Sequence, residues 1–281
     1  MIPPDQIVQG IDHLIVMVQQ LDRSAAAWQA LGFAITPRGF HQTGGTANHL
    51  IMLEGTYIEL LGMADAATAS PYRSMMDSPG LWGIALRGSA EGTYELWRER
   101  NLRVSSPTRL ARGVEIDGNN ELARFHLTML ERSESLPFLI FCCEQLTPQF
   151  VWRKDRPPHA NGAVRLKELV VVADDAGISH EFERITGRDL ASVAPETDRI
   201  DLGDSSLTFH SPAAYRARYG DAGNVRRGGL PQLAALVLSS RDLPRARELA
   251  RRAGAHTQET TDGFVAALTH EGVVIEWVPE L

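Results

Sequence analysis

The sequence is poor in cysteine, and this indicates the kind of cellular compartment in which the protein is found. Its two cysteines, Cys142 and Cys143, are adjacent in an apolar run. Neighbouring residues on a strand point to opposite faces of a sheet, so the two thiols are poorly placed to form a disulfide with each other. We expect both to be buried small hydrophobic residues in a reducing compartment, and therefore expect a cytoplasmic protein.

Three further features are missing. The formal net charge is -7, so there is no global positive field for phosphate backbones, and nucleic acid is not an expected partner. No apolar run approaches the roughly 18 residues that span a bilayer, and the first nine residues lack the basic start and apolar core of a signal peptide. Phosphate-binding glycine loops, GxSxG nucleophile turns and CxxC or HExxH metal spacings are absent too, so we expect no nucleotide cofactor.

One short pattern recurs along the 281 residues, whose composition is that of an ordinary globular protein. In the first copy, an unbroken apolar run after His13 predicts a strand that is covered on both faces. A helix is predicted to begin at Asp22, an N-cap residue, and to end at Gly32, a C-cap residue. The remaining strands of this copy are predicted at Phe33–Thr36, Asn48–Leu53 and Thr56–Leu61.

The order strand, helix, strand, strand, strand occurs three more times. The C-terminal copy repeats it most closely, with Gly229–Leu238 as the first strand, Asp242–Ala253 as the helix and Phe264–Val278 as the closing hairpin. Weaker copies begin at Gly80 and Leu166. One such unit cannot bury both faces of its sheet, so the four units are expected to form two pairs.

The least regular and most polar stretch lies between the second and third copies, from Pro148 to Gly162. We expect a domain boundary there, which divides the chain into residues 1–160 and 161–281. The copies in the first domain cover about residues 8–63 and 79–145, and those in the second cover about 164–211 and 228–281.

The first copy carries the most specific sequence features. These are Gly10-Ile-Asp-His13, Leu31-Gly-Phe33, the segment Gly45–Leu53, and Tyr57-Ile-Glu-Leu60. Together with Pro137–Ile140 and His159–Ala163, they resemble the glyoxalase-like branch of the vicinal oxygen chelate superfamily. The resemblance implies an α+β fold, in which four βαβββ modules pair into two cupped, barrel-like mixed sheets with helices outside. It leaves the reaction open, because the superfamily contains isomerases, lyases, epimerases, ring-cleaving dioxygenases and metal-free drug-binding proteins.

The resemblance also implies a metal site in the first domain. His13 and Glu59 stand where metal-using relatives have ligands, on strands that are neighbours in this topology. Neighbouring strands lie about 4.8 Å apart, so the two side chains can reach one divalent ion, and the donor set suits Zn, Mn, Fe, Ni or Co. We assign both residues as metal ligands and catalytic groups. Without the resemblance, His13 is equally well a hydrogen-bonded residue at a strand start, and Glu59 needs an ion, a base or an arginine as its partner.

Two of the four expected ligands are missing from the second copy. Gly83 stands at the position that matches His13, and the closing strand of the second copy has no carboxylate. A third ligand is expected from whichever of three histidines points inward, namely His41, His49 or His126.

Four residues of the first domain are assigned to substrate binding: Arg38, His41, Asn48 and His126. Arg38 and the turn at residues 44–46 would offer a cation and backbone N–H groups to a carboxylate or an oxyanion. The alternative for Arg38 is an ordinary surface position.

In the second domain, the positions that match the ligands are Glu168, Thr208, Gln232 and Glu276. They lack the two histidines of an extradiol dioxygenase site, so that activity is set aside. Glu168 alternatively faces solvent or pairs with Lys167, and Glu276 is alternatively a residue at the sheet edge.

The leading hypothesis is a divalent-metal-assisted lyase or isomerase that acts on a small oxygenated organic molecule. Glu59 or a nearby histidine would then move a proton. The alternative is a metal-free small-molecule binding or resistance-type protein, which encloses an apolar ligand in the same cup. In a third interpretation, the second domain is only a structural partner or a dimerisation partner of the first domain. The expected assembly is a monomer or a homodimer.

Overall fold

The computed structural model describes residues 7–41, 44–65, 70–116, 118–153, 155–223 and 229–280, so the first six residues of the N-terminal segment considered above lie outside it. Strands and helices follow the predicted order in four successive units. The first half contains β1 (Val8–Met17), α1 (Leu21–Ala30), β2 (Gly39–His41), β3 (Thr46–Met52), β4 (Tyr57–Met63), α2 (Arg73–Met76), β5 (Gly80–Gly88), α3 (Ala90–Glu99), β6 (Thr108–Ile116), β7 (Asn119–Met129) and β8 (Leu139–Gln145). The second half contains β9 (Ala163–Val172), α4 (Gly177–Thr186), β10 (Leu190–Ala194), β11 (Thr197–Asp201), β12 (Ser206–His210), α5 (Pro212–Tyr219), β13 (Gln232–Ser240), α6 (Leu243–Arg252), β14 (His256–Glu259), β15 (Phe264–Leu268) and β16 (Val273–Pro279).

The two halves form two mixed sheets of eight strands each, which confirms the predicted fold class. The first sheet is a closed barrel in the order β1-β4-β3-β2-β6-β7-β8-β5. Strand β1 runs parallel to β4 and antiparallel to β5, and the short antiparallel pairing of β2 with β6 is the other junction between the two modules. The second sheet is open, in the order β10-β11-β12-β9-β13-β16-β15-β14. No helix among the described residues is long and apolar enough to cross a membrane.

Each barrel strand buries one face inside the barrel and the other outside it. On β1, Ile15 and Met17 pack in the barrel interior, whereas Leu14 and Val16 join a second core outside. Burial of both faces explains the unbroken apolar run in the sequence. The outer core continues into the second sheet, where it includes Trp277, so the two sheets share one core. A third core lies on the other face of the second sheet, where Tyr215 and Tyr219 cover Val170 and Ala235.

The segment that connects the two sheets is held against the first module by His159 and Asn161. The Ala34 N–H donates to His159 Nδ1 at 2.9 Å, and His159 Nε2 lies 2.7 Å from the Met52 carbonyl. Burial lowers the pKa of His159, so the ring is neutral and donates at one nitrogen while it accepts at the other. The Asn161 amide donates to the Leu31 carbonyl at 2.9 Å. These contacts fix the start of β9 relative to the barrel.

Candidate active site

The closed barrel contains a cavity of about 150 Å³ with one polar and one apolar wall. Strands of the first module place four of the residues singled out in the sequence on the polar wall, namely His13, His41, Asn48 and Glu59. The second module supplies most of the apolar wall, which includes Phe125, Leu127, Met129, Leu139 and Phe141. The cavity therefore suits a small molecule that has a polar end and an apolar body.

Glu59 is the centre of the polar wall. It lies in the middle of β4 and is only 6% exposed, and the Asn48 amide donates a hydrogen bond to its Oε1 atom. His41 Nε2 lies 3.6 Å from Oε1, and His13 Nε2 lies 3.7 Å from Oε2. Two imidazole nitrogens thus approach the two oxygens of one buried carboxylate, because β1 and β3 are the direct neighbours of β4 and β2 is the next strand.

The ring of His13 is held by an acidic residue that directly precedes it. A register shift between Ile11 and His13 interrupts the pairing of β1 with β5, and both Asp12 and His13 are buried. His13 Nδ1 lies 2.6 Å from Asp12 Oδ1, and Gln145 donates to both oxygens of Asp12 at 3.0 and 2.9 Å. The carboxylate assigns the N–H to Nδ1, so the lone pair of Nε2 faces Glu59.

Two aromatic rings pack against the His13 ring, one stacked on its face and one in an edge-on contact. The His13 ring stacks on Tyr57 with centroids 4.5 Å apart and an interplanar angle of 10°. Phe141 approaches it edge-on at 5.5 Å. Since Tyr57 also lies edge-on to Trp152 at 5.5 Å, the His13 ring is supported by packing as well as by its hydrogen bond.

Burial and nearby charges act together on the pKa values of Glu59 and His41. Burial alone raises the pKa of Glu59, but the charges that His41 and His13 carry when they are protonated, the Asn48 hydrogen bond and the Arg112 charge together outweigh it, and the pKa is lowered. The pKa of His41 is lowered by burial, with Arg112 and His13 adding to the effect and Glu59 opposing it. Near neutral pH, the site therefore offers a carboxylate and an uncharged imidazole.

A divalent ion fits the donor atoms at His13 and Glu59. Nitrogen and oxygen ligands lie about 2.0–2.2 Å from such an ion, so two of them can be 3.7 Å apart, which is the separation of His13 Nε2 and Glu59 Oε2. Asp12 supplies the outer carboxylate that ligating histidines usually have.

Among the described residues, one group of three His, Cys, Asp or Glu residues has ligand atoms all within 4.8 Å, and it consists of Asp12, His13 and Cys143. We interpret its shortest contact, between Asp12 and His13 at 2.6 Å, as a hydrogen bond. Burial raises the pKa of the Cys143 thiol well above its usual value, so Cys143 is an uncharged thiol in this structure.

Three other residues considered in the sequence lie outside the cavity. The Arg38 guanidinium contacts the exposed carboxylate of Asp22. His49, on the outer face of β3, has its Nδ1 atom 2.8 Å from the Thr36 carbonyl. His126 lies between two carboxylates, 3.8 Å from Glu91 and 3.6 Å from Glu144, since its neighbours Phe125 and Leu127 take the inward positions on β7.

The structure brings three further residues to the site that the sequence analysis did not single out. Asp12 had a detectable sign, since it is an acidic residue beside His13 in an otherwise apolar strand. Gln145 lies 133 positions from Asp12 in the chain, and no local pattern links them. Arg112 faces the cavity from β6, and its inward orientation depends on the pairing of β6 with β2.

In the second sheet, an arginine occupies the position between the two candidate carboxylates. Arg218 of α5 makes ion pairs with Glu168 at 2.6 Å and with Glu276 at 2.7 Å. The Thr208 hydroxyl donates to Glu168 at 2.7 Å, and the Tyr219 hydroxyl donates to Glu276 at 3.0 Å. These carboxylates are thus already compensated by the protein itself. The Oε1 atom of Gln232 has no hydrogen-bond partner in the described part of the chain.

The paired βαβββ units of the barrel have the fold of the vicinal oxygen chelate superfamily. Residues 11–186 match the family model described as a glyoxalase-like domain, and the chain belongs to this family. A search of the curated proteins finds no match.

Solved structures share the fold at low sequence identity. A hypothetical protein from Staphylococcus aureus is 13% identical with a TM-score of 0.68, over 96% of this chain and 99% of that one. A variant of 4-hydroxymandelate synthase from Streptomyces coelicolor is 11% identical with a TM-score of 0.60, over 97% and 92%. A variant of homoprotocatechuate 2,3-dioxygenase from B. fuscum is 12% identical with a TM-score of 0.57, over 100% and 73%. These likenesses concern the fold alone.

Proposed function

We propose that the chain is an isomerase or lyase that moves a proton on a small oxygenated organic molecule in the barrel cavity, with a divalent metal ion held by His13 and Glu59. The observation that carries the proposal is the approach of two imidazole Nε2 atoms, at 3.6 and 3.7 Å, to the two oxygens of one buried carboxylate. The two free, buried cysteines are in keeping with a reducing, cytoplasmic location.

The charge of each residue in the site determines the role that we propose for it. When bound, the divalent ion would supply a Lewis acid for a carbonyl or enolate oxygen of the substrate. Glu59 suits the role of ligand better than that of base, because its lowered pKa keeps it ionised and weakly basic. Asp12 holds His13 with Nε2 toward Glu59.

His41 is the group that accepts and returns the proton in this proposal. Its pKa is lowered by burial, so it is uncharged near neutral pH. Its Nδ1 atom lies 2.9 Å from the Thr46 hydroxyl, which orients the ring so that Nε2 lies beside Glu59 on the cavity wall. The apolar wall keeps bulk water away from the reacting atoms.

Metal content tests the proposal directly. We expect protein purified without chelators to contain close to one divalent ion per chain, and His13→Ala and Glu59→Ala to lose it. His41→Gln should keep the ion, because His41 is assigned to proton transfer. His180→Ala, which removes an exposed imidazole on α4, is the matched control and should also keep it. A metal-free wild-type protein that does not bind Zn²⁺ or Co²⁺ would contradict the proposal.

One observation favours the second candidate, a metal-free small-molecule binding protein. The Glu59 carboxylate already has a hydrogen bond from Asn48, and the Arg112 charge lies near enough to lower the pKa of Glu59. The polar wall is therefore partly compensated without an ion. The same measurement separates the candidates, since the binding protein requires no metal and would be unaffected by EDTA.

A further inference from the structure

Arg112 is a buried cation on the wall of the barrel cavity. It lies on β6 opposite His41 of β2, at the junction of the two modules, and it is only 5% exposed. The Leu110 side chain, two positions earlier on the same strand, also lines the cavity. A fully buried arginine is rare unless its charge is compensated, so the surroundings of this guanidinium are informative.

The guanidinium has few partners inside the protein. Its hydrogen bond within the described residues runs from Nη1 to Asn48 Oδ1, and it is long, at 3.4 Å. No carboxylate of the described chain lies within 4.0 Å of it, in contrast to Arg218, which has two. Since a guanidinium has five N–H donors, this one bond leaves most of those on Arg112 without a partner among the described residues.

A glycine makes room for this arginine. A Cβ atom on Gly39 would lie 2.8 Å from Arg112 Nη1 and 2.5 Å from Asn48 Oδ1. Gly39 has no positive φ angle, so the space rather than the backbone conformation requires glycine there. The guanidinium is thus held in place against the backbone of β2, beside the amide that contacts Glu59.

We infer that Arg112 binds the carboxylate of the ligand and that the ligand class is a small monocarboxylate with an apolar body. This inference rests on the proposed function, because it names the ligand of the same cavity. A planar carboxylate matches the fork of a guanidinium. A single negative charge also suits the site better than a phosphate dianion, because the Glu59 carboxylate is already on this wall and the Asp12 carboxylate lies behind His13.

The apolar wall of the cavity limits the body of the ligand. It is apolar, with Phe125, Leu139 and Phe141 among its residues, and the cavity volume is about 150 Å³. Cavities of roughly this size accommodate a single benzene ring. We therefore expect a body of about one six-membered ring or an aliphatic chain of similar volume, with the carboxylate directed toward Arg112.

Binding of matched probes tests the inference on the full-length chain in the presence of EDTA. The probes are benzoate and benzamide, which share a ring and differ in charge, followed by calorimetry or ligand-observed NMR. Wild-type protein should bind benzoate about 10-fold or more tightly than benzamide. Arg112→Gln should weaken benzoate binding by about 10-fold or more and change benzamide binding by less than about twofold. Arg103→Gln, which removes an exposed arginine paired with Glu131 outside the cavity, should leave both unchanged.

Two further variants keep the test decisive if Arg112→Gln fails to fold. Arg112→Lys keeps the charge and loses the fork, so it should weaken benzoate binding by a smaller factor. Gly39→Ala should weaken it by displacing the guanidinium. Equal binding of the two probes, no binding of either, or an unchanged benzoate affinity in Arg112→Gln would overturn the inference. Since EDTA removes any ion, these results do not depend on the metal content of His13 and Glu59 variants, and the two proposals can fail separately.

Discussion

Replacement of Asp12 by asparagine tests how His13 is held. The Gln145 amide donates to both Asp12 oxygens, and the Gln145 Oε1 atom has no partner within the described residues. The Gln145 amide can therefore turn and accept a hydrogen bond from an asparagine amide, while the asparagine oxygen still accepts from His13 Nδ1. Asp12→Asn thus removes the charge beside His13 and keeps the hydrogen-bonded shape.

The expected loss follows from the 2.6 Å contact between Asp12 and His13. A hydrogen bond to a charged group contributes roughly 1.5–3 kcal/mol and a neutral one about 1 kcal/mol, so about 1 kcal/mol is lost at His13. Removing an outer carboxylate from a ligating histidine typically weakens metal binding by about 10- to 100-fold. We expect Asp12→Asn to weaken Co²⁺ binding about 10-fold, and to lower the free energy of unfolding by about 1 kcal/mol.

Calorimetric titration with Co²⁺ and urea denaturation measure these two quantities. Asp22→Asn is the matched control, because its carboxylate is exposed and contacts Arg38 outside the cavity. An unchanged Co²⁺ affinity in Asp12→Asn, or the same loss in both variants, would refute the role given to Asp12. A large loss of stability without a change in affinity would make Asp12 a purely structural residue.

Two further predictions concern the second sheet. Arg218→Met leaves the carboxylates of Glu168 and Glu276 without their cation, so urea denaturation should show a loss of about 3–5 kcal/mol in the free energy of unfolding. The control Arg252→Met, at an exposed pair, should change this free energy by less than about 1 kcal/mol. A loss below about 1 kcal/mol for Arg218→Met would contradict the ion cluster. Burial, with a contribution from Arg218, lowers the pKa of His210 from 6.5 to about 4. The neutral ring therefore contributes its full stability, roughly 3 kcal/mol, above pH 6.5, and this contribution is lost as the pH falls toward 4. The thermal midpoint should fall over that range, less steeply in His210→Asn than in wild type or His180→Asn, and identical slopes in all three proteins would contradict it.

Much of the fold can be predicted from the sequence because the same order of strands and helix can be recognised in each of the four units. Glycines at helix ends and short apolar runs recur in the same sequence, and neighbouring units must pair to cover their sheets. The closed barrel in the first half and the open sheet in the second could not be distinguished this way, since closure depends on the short pairing of β2 with β6. The division of the chain near residue 160 stays a prediction. Because the two sheets share one core, separating them would expose apolar side chains that are buried in it.

The candidate site divides similarly into predictable and unpredictable parts. His13 and Glu59 stand out because polar residues in apolar strands need a partner, and both face the cavity. Arg112 does not stand out, since an arginine on an alternating strand is usually exposed. Arg218 is equally hidden, because α5 follows the third unit and is not part of the repeated pattern. Contacts between residues distant in sequence decide both cases.

Anomalous X-ray diffraction from crystals soaked in Mn²⁺ tests whether His13 and Glu59 hold a metal ion, because it locates the ion. We expect one strong peak in the barrel cavity, about 2.2 Å from both His13 Nε2 and a Glu59 oxygen. A peak between Asp12 and Cys143, or no peak in the cavity of a crystal that holds Mn²⁺ elsewhere, would contradict it.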